Sequence, residues 1–338
     1  MKVLVTGGGG FLGHYIVDEL LRAGHRVVAY QRSPHPDLQA RGVEVRQGSL
    51  LEAEALRTAL QGCEAVLHTA AKAGVWGTRK AFFSTNVDGT RILLEAMEGQ
   101  GVGKIVYCSS PSVVFDGSSF EGGDESLPYG SNWHCAYPES KVAAEKMVLE
   151  WGRSGKGRAI ALRPHLMWGI GDPHILPVVL ERSRQGRFWI IGDGRNRVDL
   201  CRVENAARAH LLALQALDRP EAVNRPYFVS QGQPVRLWGW VNEVLQAAGL
   251  PPLRRRIPLP LAFAMGAVFE AAWPALRRPG MPPMTRFAAV EMARSHWFNI
   301  DAARRELGFQ PEEFPIDEGL RLYVEAWKCG RTPLAGRQ

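Results

Sequence analysis

Tyr137 and Lys141 are the pair of side chains in this sequence best suited to proton transfer. Pro138 follows the tyrosine and fits the first turn of a helix, where its missing N–H has no helical partner to lose. Residues four positions apart lie on one face of a helix, so we expect the lysine ammonium beside the phenol. A neighbouring cation stabilises phenolate and lowers the tyrosine pKa from about 10 toward neutral pH, as general acid and base catalysis requires. Ser109 and Ser110, at an upstream strand end, could add a hydroxyl to the pair.

A glycine-rich turn follows the first apolar run of the chain and precedes an amphipathic helical pattern. Gly7, Gly10 and Gly13 allow a tight turn, a close approach of the backbone to a pyrophosphate, and close packing of helix on sheet. The helix begins near Phe11 and Leu12, and its free N–H groups and dipole favour an anion. The strand before the turn and the helix after it make dinucleotide binding by these five residues the favoured interpretation.

The end of the second predicted strand indicates which dinucleotide is bound. Enzymes specific for NAD usually present a carboxylate there to the ribose 2′-hydroxyl, but this chain has Arg32 and Ser33 after its strand. An arginine can form charge-assisted hydrogen bonds to a 2′-phosphate, and the serine can add another. NADP(H) is therefore favoured, while NAD stays possible because Arg32 could be an exposed charge without a ligand.

Apolar, β-branched runs alternate with helical patterns through the first half of the chain. The predicted strands cover residues 2–6, 26–30, 43–46, 65–69, 104–109 and 158–163. This alternation predicts an α/β fold, a Rossmann-type doubly wound parallel sheet with ligands at the carboxyl ends of its strands. Prolines accumulate after Pro164. We therefore expect a dinucleotide-binding domain over residues 1–164, joined by some later segments, and a smaller C-terminal substrate-binding lobe over residues 165–330.

Composition excludes several classes of protein. The net charge of +7 comes from scattered lysines and arginines, which argues against nucleic-acid binding and suits an anionic cofactor or substrate. Five separated cysteines, without a C-x-x-C pair, are typical of reduced thiols in a cytoplasm. His174 and His210 have no metal-ligand spacing, so we predict no metal. The first residues run directly into the glycine turn, and we expect no signal peptide.

Residues 257–276 are mostly apolar but contain three prolines and a glutamate. The segment is too interrupted to span a membrane. A helix buried against the core is the simplest interpretation; a lid over an apolar substrate and a helix lying in a membrane interface are the alternatives.

These motifs together resemble the extended short-chain dehydrogenase/reductases, and the resemblance covers most of the chain. Further matching stretches are residues 66–71, 86–90 and 162–164. The resemblance implies that Ser110 hydrogen-bonds the substrate oxygen, with Ser109 as the fallback if the strand register slips by one. It implies that Tyr137 transfers the proton and that Lys141 binds the nicotinamide ribose. It also implies further cofactor contacts at the two strand ends, from Thr69, Ala70, Ala71 and Pro164.

Several positions indicate which members of this family the chain resembles most. Nucleotide-sugar dehydratases carry an Asp-Glu pair where this chain has Pro111 and Ser112. Nucleotide-sugar epimerases carry diphosphate-binding residues where it has Leu166 and Val198, although Arg197 or Arg202 could take over that role, so epimerases are excluded only in part. Residues 70–77, 111–113, 128–130, 168–172, 176–177 and 283–287 are instead similar to bacterial 2-alkyl-3-oxoalkanoate reductases of olefin biosynthesis. They are more distantly similar to 3β-hydroxysteroid and sterol-4-carboxylate dehydrogenases. Relatives of this kind act on large apolar carbonyl compounds.

The resulting hypothesis is NADPH-dependent reduction of a 2-alkyl-3-oxo acid, or a related apolar β-keto compound, to the 3-hydroxy product. A 3β-hydroxysteroid or sterol dehydrogenase and a nucleotide-sugar epimerase are the enzymatic alternatives, and a non-catalytic dinucleotide sensor is the third class. Candidate substrate contacts are Lys72, Trp76, His134 and His165. For His134 an ordinary polar loop residue is the favoured interpretation, whereas His165 could equally contact a ligand or pack behind the site.

The sequence says less about association with other protein chains or membranes than about the fold and the active site. Members of the family often form homodimers through helices beside the active site, here around residues 78–96 and 136–150. Peripheral membrane contact or membership of a multi-enzyme assembly is also possible for an enzyme with an apolar substrate.

Overall fold

A computed structural model of the protein describes residues 1–131, 133–312 and 316–330, without the side chains of residues 316 and 317. The strands are β1 (Lys2–Thr6), β2 (Arg26–Gln31), β3 (Glu44–Gln47), β4 (Ala65–His68), β5 (Lys104–Cys108), β6 (Phe120–Gly123), β7 (Arg158–Pro164), β8 (Met167–Trp168), β9 (Ile190–Ile191), β10 (Arg197–Val198), β11 (Cys201–Arg202), β12 (Arg225–Val229), β13 (Val235–Arg236), β14 (Arg256–Ile257) and β15 (His296–Phe298).

The α-helices are α1 (Phe11–Arg22), α2 (Pro36–Ala40), α3 (Ala53–Leu60), α4 (Arg79–Phe83), α5 (Gly89–Gly99), α6 (Ala136–Arg153), α7 (Leu176–Arg184), α8 (Val203–Ala216), α9 (Leu237–Ala247), α10 (Leu259–Ala275), α11 (Arg286–Glu291) and α12 (Ile316–Lys328). Two π-helical turns (Ser84–Asp88 and Ala303–Leu307) and one 3-10 turn (Pro111–Val114) complete the helical structure of the described residues.

Seven parallel strands form the central sheet, in the order β12-β7-β5-β4-β1-β2-β3. The six predicted strands are all present, and each boundary lies within one residue of its predicted position. The order reverses direction on either side of β1, as in doubly wound folds that bind a dinucleotide at the switch point. The prediction of a Rossmann-type α/β fold is confirmed.

Side chains of each central strand point alternately to two apolar layers, which is why both faces must be covered. On β1, Val3 and Val5 pack in the layer that contains α1 and α8. Leu4, between them, packs in the opposite layer with residues of α3, α5 and α6. The continuous apolar character of the strand follows from this double burial.

The chain passes between the central sheet and a smaller one in both directions. β12 lies beyond residue 164 and pairs with β7 in the central sheet. β6 precedes residue 164 and pairs with β15 in a four-stranded sheet of order β13-β10-β15-β6. A separate apolar cluster built around Trp168, Trp240 and Tyr323 supports this second part of the molecule.

The apolar segment at residues 257–276 forms α10, but not as a helix enclosed by the core. Only Ala262 and Gly266 of the helix are buried. Gly266 allows α10 to lie against the start of α11, because a Cβ at this position would be 2.7 Å from the backbone nitrogen of Arg286. The expectation of a fully buried helix is therefore wrong. Within the described residues, no helix has the length and apolar character needed to cross a membrane.

Candidate active site

The glycine turn lies at the carboxyl end of β1, where α1 begins. Gly7 has a φ of +73° and donates its N–H to the carbonyl of Tyr30, so the turn is attached to the end of β2. A Cβ at Gly13 would lie 2.1 Å from the Gly7 carbonyl oxygen, so only glycine allows this contact. Phe11 and Leu12 are the first two residues of α1, as predicted, and Gly10 is its N-cap. The turn and the helix N-terminus form a cradle for an anion.

Gln31 is the last residue of β2 and the functional candidate that the sequence interpretation missed at this strand end. Its side chain is 8% exposed, and neither its amide oxygen nor its amide nitrogen has a hydrogen-bond partner among the described residues. The amide oxygen lies 2.6 Å from where a Cβ of Gly9 would be, beside the cradle. Arg32 and Ser33 are exposed next to it. Because this unpartnered amide lies beside the cradle, it can form hydrogen bonds with a ligand bound there.

His14, His35 and Asp37 cluster beside the same turn. His14 contacts the Gly10 carbonyl at 3.1 Å through Nδ1 and the Asp37 carboxylate at 2.8 Å through Nε2. His35 Nδ1 is 3.6 Å from the same carboxylate. Their ligand atoms lie within 4.8 Å of one another, a spacing compatible with a metal ion. No spacing in the sequence indicated this cluster, and the absence of a metal stays a prediction.

The carboxyl end of β4 faces the glycine turn from the other side. Thr69 donates its hydroxyl to the Thr6 carbonyl at 2.7 Å, and the Ala70 N–H donates to the Thr6 hydroxyl at 3.2 Å. Ala71, next in the loop, is exposed. The predicted contacts Thr69, Ala70 and Ala71 thus lie directly beside Gly7 at the end of the sheet.

Lys141 is enclosed by the protein and held in one position. Its ammonium donates to the Cys108 carbonyl at 2.6 Å and lies 4.3 Å from the centre of the Tyr107 ring. The side chain is only 2% exposed. Burial lowers the pKa of Lys141 to about 8, which places its titration close to neutral pH.

Tyr137 lies in the first turn of α6, and its ring packs against Phe82 of α4 with ring centres 6.2 Å apart. Burial raises the pKa of the phenol above 10, while a hydrogen bond with Ser110 acts in the opposite direction. The expected lowering of this pKa by Lys141 is not found, and the lysine ammonium is hydrogen-bonded to the Cys108 carbonyl. Burial is the largest influence on the pKa of the phenol.

Ser110, rather than Ser109, is the serine that reaches Tyr137. Ser110 caps the 3-10 turn after β5, and its hydroxyl lies 2.9 Å from the hydroxyl of Ser112. Ser109 is 4% exposed, and its hydroxyl has no partner among the described residues. The strand register therefore favours the predicted residue over the fallback.

Two buried contacts that sequence reasoning did not assign fix α6 in the site. Asn86 in the π-helical turn donates to the Ser140 hydroxyl at 2.9 Å and accepts from the Lys72 N–H at 2.7 Å. One turn beyond Lys141, the Glu145 carboxylate accepts two hydrogen bonds from Arg163 of β7, at 2.5 and 3.1 Å. The first contact connects α6 to the loop after β4, and the second connects it to the sheet.

The four candidate substrate residues have different environments. Lys72 lies over the ring of Phe82, with its nitrogen 5.3 Å from the ring centre, which places it one side chain away from Tyr137. Trp76 is partly exposed in the same loop. His134 has a φ of +55° and stacks edge-on against Phe263 of α10.

His165 follows Pro164, the buried last residue of β7, and both of its ring nitrogens are occupied. Nδ1 is hydrogen-bonded to the Asp199 carboxylate, and Nε2 lies 2.9 Å from Nδ1 of His296 on β15. With a side chain that is 8% exposed, His165 packs behind the site instead of facing a substrate. Of its two possible roles, the structure favours packing.

An apolar cavity of about 300 Å³ lies close to these residues, between the segment after α7, α10 and α11. Val75, the neighbour of Trp76, contributes to its wall, and Val75 also packs in the cluster that contains Cys135. The rest of the wall is rich in aromatic and flexible apolar side chains: Phe188, Trp189, Met265, Phe269, Met281, Met284 and Met292. Val75 therefore connects the cavity to the segment before Tyr137, and the apolar wall suits a large apolar ligand.

Comparison with known proteins gives consistent matches. The model of the 3-beta hydroxysteroid dehydrogenase/isomerase family matches residues 4–261. A 2-alkyl-3-oxoalkanoate reductase of Stenotrophomonas maltophilia is 41% identical, over 95% of this chain and 98% of the relative. A 3 beta-hydroxysteroid dehydrogenase/Delta 5-->4-isomerase of Mycobacterium tuberculosis is 35% identical, over 97% of this chain and 91% of the relative.

Two solved structures share the fold over nearly the whole chain. The crystal structure of gox2253 has a TM-score of 0.79 and 26% identity, covering 98% of this chain and 99% of the other. The structure of MoeE5 in complex with UDP-glucose and NAD has a TM-score of 0.74 and 26% identity, covering 98% and 99% of the two chains.

Proposed function

Because this chain belongs to the 3-beta hydroxysteroid dehydrogenase/isomerase family, we propose that it reduces a 2-alkyl-3-oxo acid, or a related apolar β-keto compound, with NADPH. The chain is an oxidoreductase that acts on hydroxyl or carbonyl groups, as are its relatives. The proposal concerns the substrate and the choice of cofactor.

A nicotinamide dinucleotide fits the residues around the glycine turn. The cradle at Gly7 and Gly13 has no room for side chains, and the N-terminus of α1 lies beside it. The unpartnered amide of Gln31 is positioned for a ribose group. A relative of the same fold, MoeE5, was solved with NAD.

The preference for NADPH follows from the charge at the end of β2. Gln31 brings no carboxylate to repel a 2′-phosphate, and exposed Arg32 and Ser33 can donate hydrogen bonds to one. His35, beside Gly9, adds a further possible donor.

Reduction of a ketone needs a hydride at the carbonyl carbon and a proton at the oxygen. The bound nicotinamide supplies the hydride. Tyr137 donates its phenolic proton to the oxygen, and the high pKa of the buried phenol keeps that proton in place until negative charge develops on the substrate. Ser110 donates a hydrogen bond to the same oxygen. Lys141, whose ammonium is hydrogen-bonded to the Cys108 carbonyl, is assigned to the ribose of the nicotinamide and not to the phenol.

The apolar cavity is the observation that carries the substrate assignment. It adjoins the loop of Val75 and Trp76 and offers aromatic and methionine side chains to an alkyl chain. Val198, at a position where epimerases bind diphosphate, is completely buried. Arg182 and Arg187 in the cavity wall can bind a carboxylate as well as a phosphate, so the predominantly apolar lining is what favours a long-chain β-keto acid over a nucleotide sugar.

A 3β-hydroxysteroid is the second candidate, supported by the 35% identity to the mycobacterial enzyme. A rigid ring system would use the same apolar cavity. The two substrates differ in flexibility and in their carboxylate, and turnover measured with each of them separately distinguishes the candidates.

The experiment compares oxidation of NADPH and NADH with long-chain 2-alkyl-3-oxo acids, reduction of NAD(P)⁺ with β-hydroxysteroids, and conversion of nucleotide sugars into their epimers, which causes no net change in the cofactor. We expect turnover only with the oxo acids and a higher kcat/KM with NADPH. Tyr137→Phe should bind NADPH with unchanged affinity and lose about a thousandfold in kcat. Wild-type turnover in this variant, or turnover of steroids alone, would refute the assignment.

A further inference from the structure

One side of α10 is exposed and consists only of apolar residues. Apart from two prolines, the exposed positions of the helix are Leu261, Ala264, Val268, Ala271 and Ala275. At about 100° per residue, these five positions fall within about 80° of one another. Leu261 is 54% exposed and Val268 is 64% exposed. We call this stripe the outer face of α10.

The helix directs its one charged side chain away from the outer face. Glu270 lies about 180° around the helix from Leu261. Its carboxylate accepts hydrogen bonds from the backbone N–H of Arg286 at 2.7 Å and from the guanidinium of Arg286 at 2.6 Å. The carboxylate is thus paired with Arg286 of α11, and the outer face carries no charged side chain that would favour its hydration.

Exposed arginines lie at both ends of the outer face. Arg254, Arg255 and Arg256 precede the helix, and Arg277 and Arg278 follow it, next to Leu276, which is 65% exposed. In the part of the chain that the structure describes, none of the five arginines forms an ion pair. An apolar stripe between unpaired cations matches the acyl chains and anionic headgroups of a lipid interface.

An adjacent side of α10 forms part of the wall of the apolar cavity, through Met265 and Phe269. Two other wall residues, Trp189 and Met281, are 39% and 43% exposed. The cavity therefore has exposed apolar residues in its wall, and a single helix separates part of it from the outer face.

We propose that the outer face of α10 lies on an anionic lipid surface, with the helix in the plane of the interface. An apolar substrate would then enter the cavity from the lipid. This second statement rests on the proposed function, whereas lipid binding itself does not.

A second copy of the chain is a less suitable occupant of the outer face. A symmetric contact through one patch would place the five arginines of one copy near those of the other. Like charges brought together in this way oppose association. An anionic membrane instead provides the opposite charge at both ends of the helix.

Vesicle sedimentation tests the proposal without substrate. The full chain is mixed with vesicles of phosphatidylcholine alone or of phosphatidylcholine with phosphatidylglycerol. We expect binding to the anionic vesicles that falls with added salt, and at least about tenfold weaker binding to the neutral ones. The double variant Leu261→Asp/Val268→Asp should lose at least about tenfold in affinity, and Arg277→Gln/Arg278→Gln should lose about tenfold.

Leu51→Asp is the matched control, because Leu51 is 47% exposed but lies outside this surface. It should bind like the wild type, and circular dichroism should show that all variants are folded. Equal binding by the wild type and the double aspartate variant would refute the proposal. The proposal would also be refuted if the wild type did not bind vesicles but formed a dimer, measured by light scattering, and the double aspartate variant were monomeric. If the chain binds anionic vesicles but reduces no oxo acid, the proposed function fails and the lipid surface stands.

Discussion

Lys141 illustrates how a single residue obtains its chemistry from packing. An ammonium that is removed from water loses free energy of hydration, and the Cys108 carbonyl and the Tyr107 ring offset part of that loss. The remaining cost lowers the pKa to about 8. The lysine also has no rotamer freedom left to lose when a cofactor arrives, so its position is set in advance.

Gln31 leads to a prediction about cofactor choice. An aspartate at this position would accept a hydrogen bond from a ribose 2′-hydroxyl and repel a 2′-phosphate. We expect Gln31→Asp to weaken NADPH binding by at least about tenfold while NADH binding is unchanged or tighter, measured by fluorescence titration.

Gln39→Asp is the control for Gln31→Asp, because it adds the same charge on the exposed side of α2. It should leave both affinities within about twofold of the wild type. Parallel losses for NADPH and NADH in the Gln31 variant would contradict a role at the ribose.

His68 leads to a prediction about acid stability. It is 1% exposed between the hydroxyls of Thr6 and Thr90, and burial lowers its pKa from 6.5 to about 3. Below pH 6.5 His68 is protonated in the unfolded chain but stays neutral in the folded chain. Its contribution to the free energy of unfolding is therefore fully present above pH 6.5 and decreases as the pH falls toward 3. The expected loss at pH 5 from this residue is about 2 kcal/mol.

Urea unfolding of the wild type and His68→Gln between pH 5 and pH 7.5 measures this contribution. The variant should be less stable at pH 7.5, yet its stability should change less with pH. Identical pH slopes for the two proteins would show that His68 does not titrate in this way.

At the scale of residues, the chemical role of side chains on one helix was predictable from the sequence. The contacts that buried polar side chains make, or lack, in the folded chain were not. The Tyr137/Lys141 spacing on one helix face is local, so the sequence contains it. The neighbours of Gln31, Asn86 and His165 come from distant segments, such as Asp199 and β15 for His165. No periodicity in a single sequence indicates those contacts.

At the scale of elements, α10 combines a close contact on one side with exposure on the other. Two glycines within helices allow a comparison of how closely each helix packs. A Cβ at Gly266 of α10 would lie 2.7 Å from backbone atoms of Thr285 and Arg286, whereas one at Gly239 of α9 would meet only Arg236 at an ordinary 3.6 Å.

Gly266→Ala should therefore destabilise the protein by about 1 to 3 kcal/mol, because the backbone of α11 must move. Gly239→Ala should stabilise it by about 0.5 to 1 kcal/mol, since alanine favours the helix and has room. Thermal and urea unfolding measure both changes. An equal effect of the two substitutions would mean that α10 does not lie closely against α11.

Six of the seven strands of the central sheet were predictable because double burial produces continuous apolar runs, as at residues 65–68; β12, which contains Pro226, was not predicted. The two-residue strands β8 to β11 and β13 and β14 were not, because so short a run has no period. The apolar content of α10 predicted a helix, but composition does not tell which of its faces is covered.

At the scale of the whole molecule, β12 and α8 complete the central sheet from beyond residue 164. A fragment of residues 1–164 would lack the strand beside β7 and the helix beside α1. We expect this fragment to aggregate or to lack a cooperative unfolding transition, measured by size-exclusion chromatography and near-ultraviolet circular dichroism. A monomeric fragment with a sharp transition would show that the first 164 residues are an independent unit.

The contact between α1 and α8 also has a consequence for the nascent chain. α1 ends at Arg22, while α8 ends at Ala216, so a ribosome must add almost two hundred residues before both helices can cover the same face. During that interval the apolar layer around Val3 and Val5 is only partly covered. Contacts so distant in sequence slow folding and leave apolar surfaces exposed to aggregation with other chains. Synthesis of this enzyme is therefore expected to depend on chaperones that shield the N-terminal half until α8 emerges.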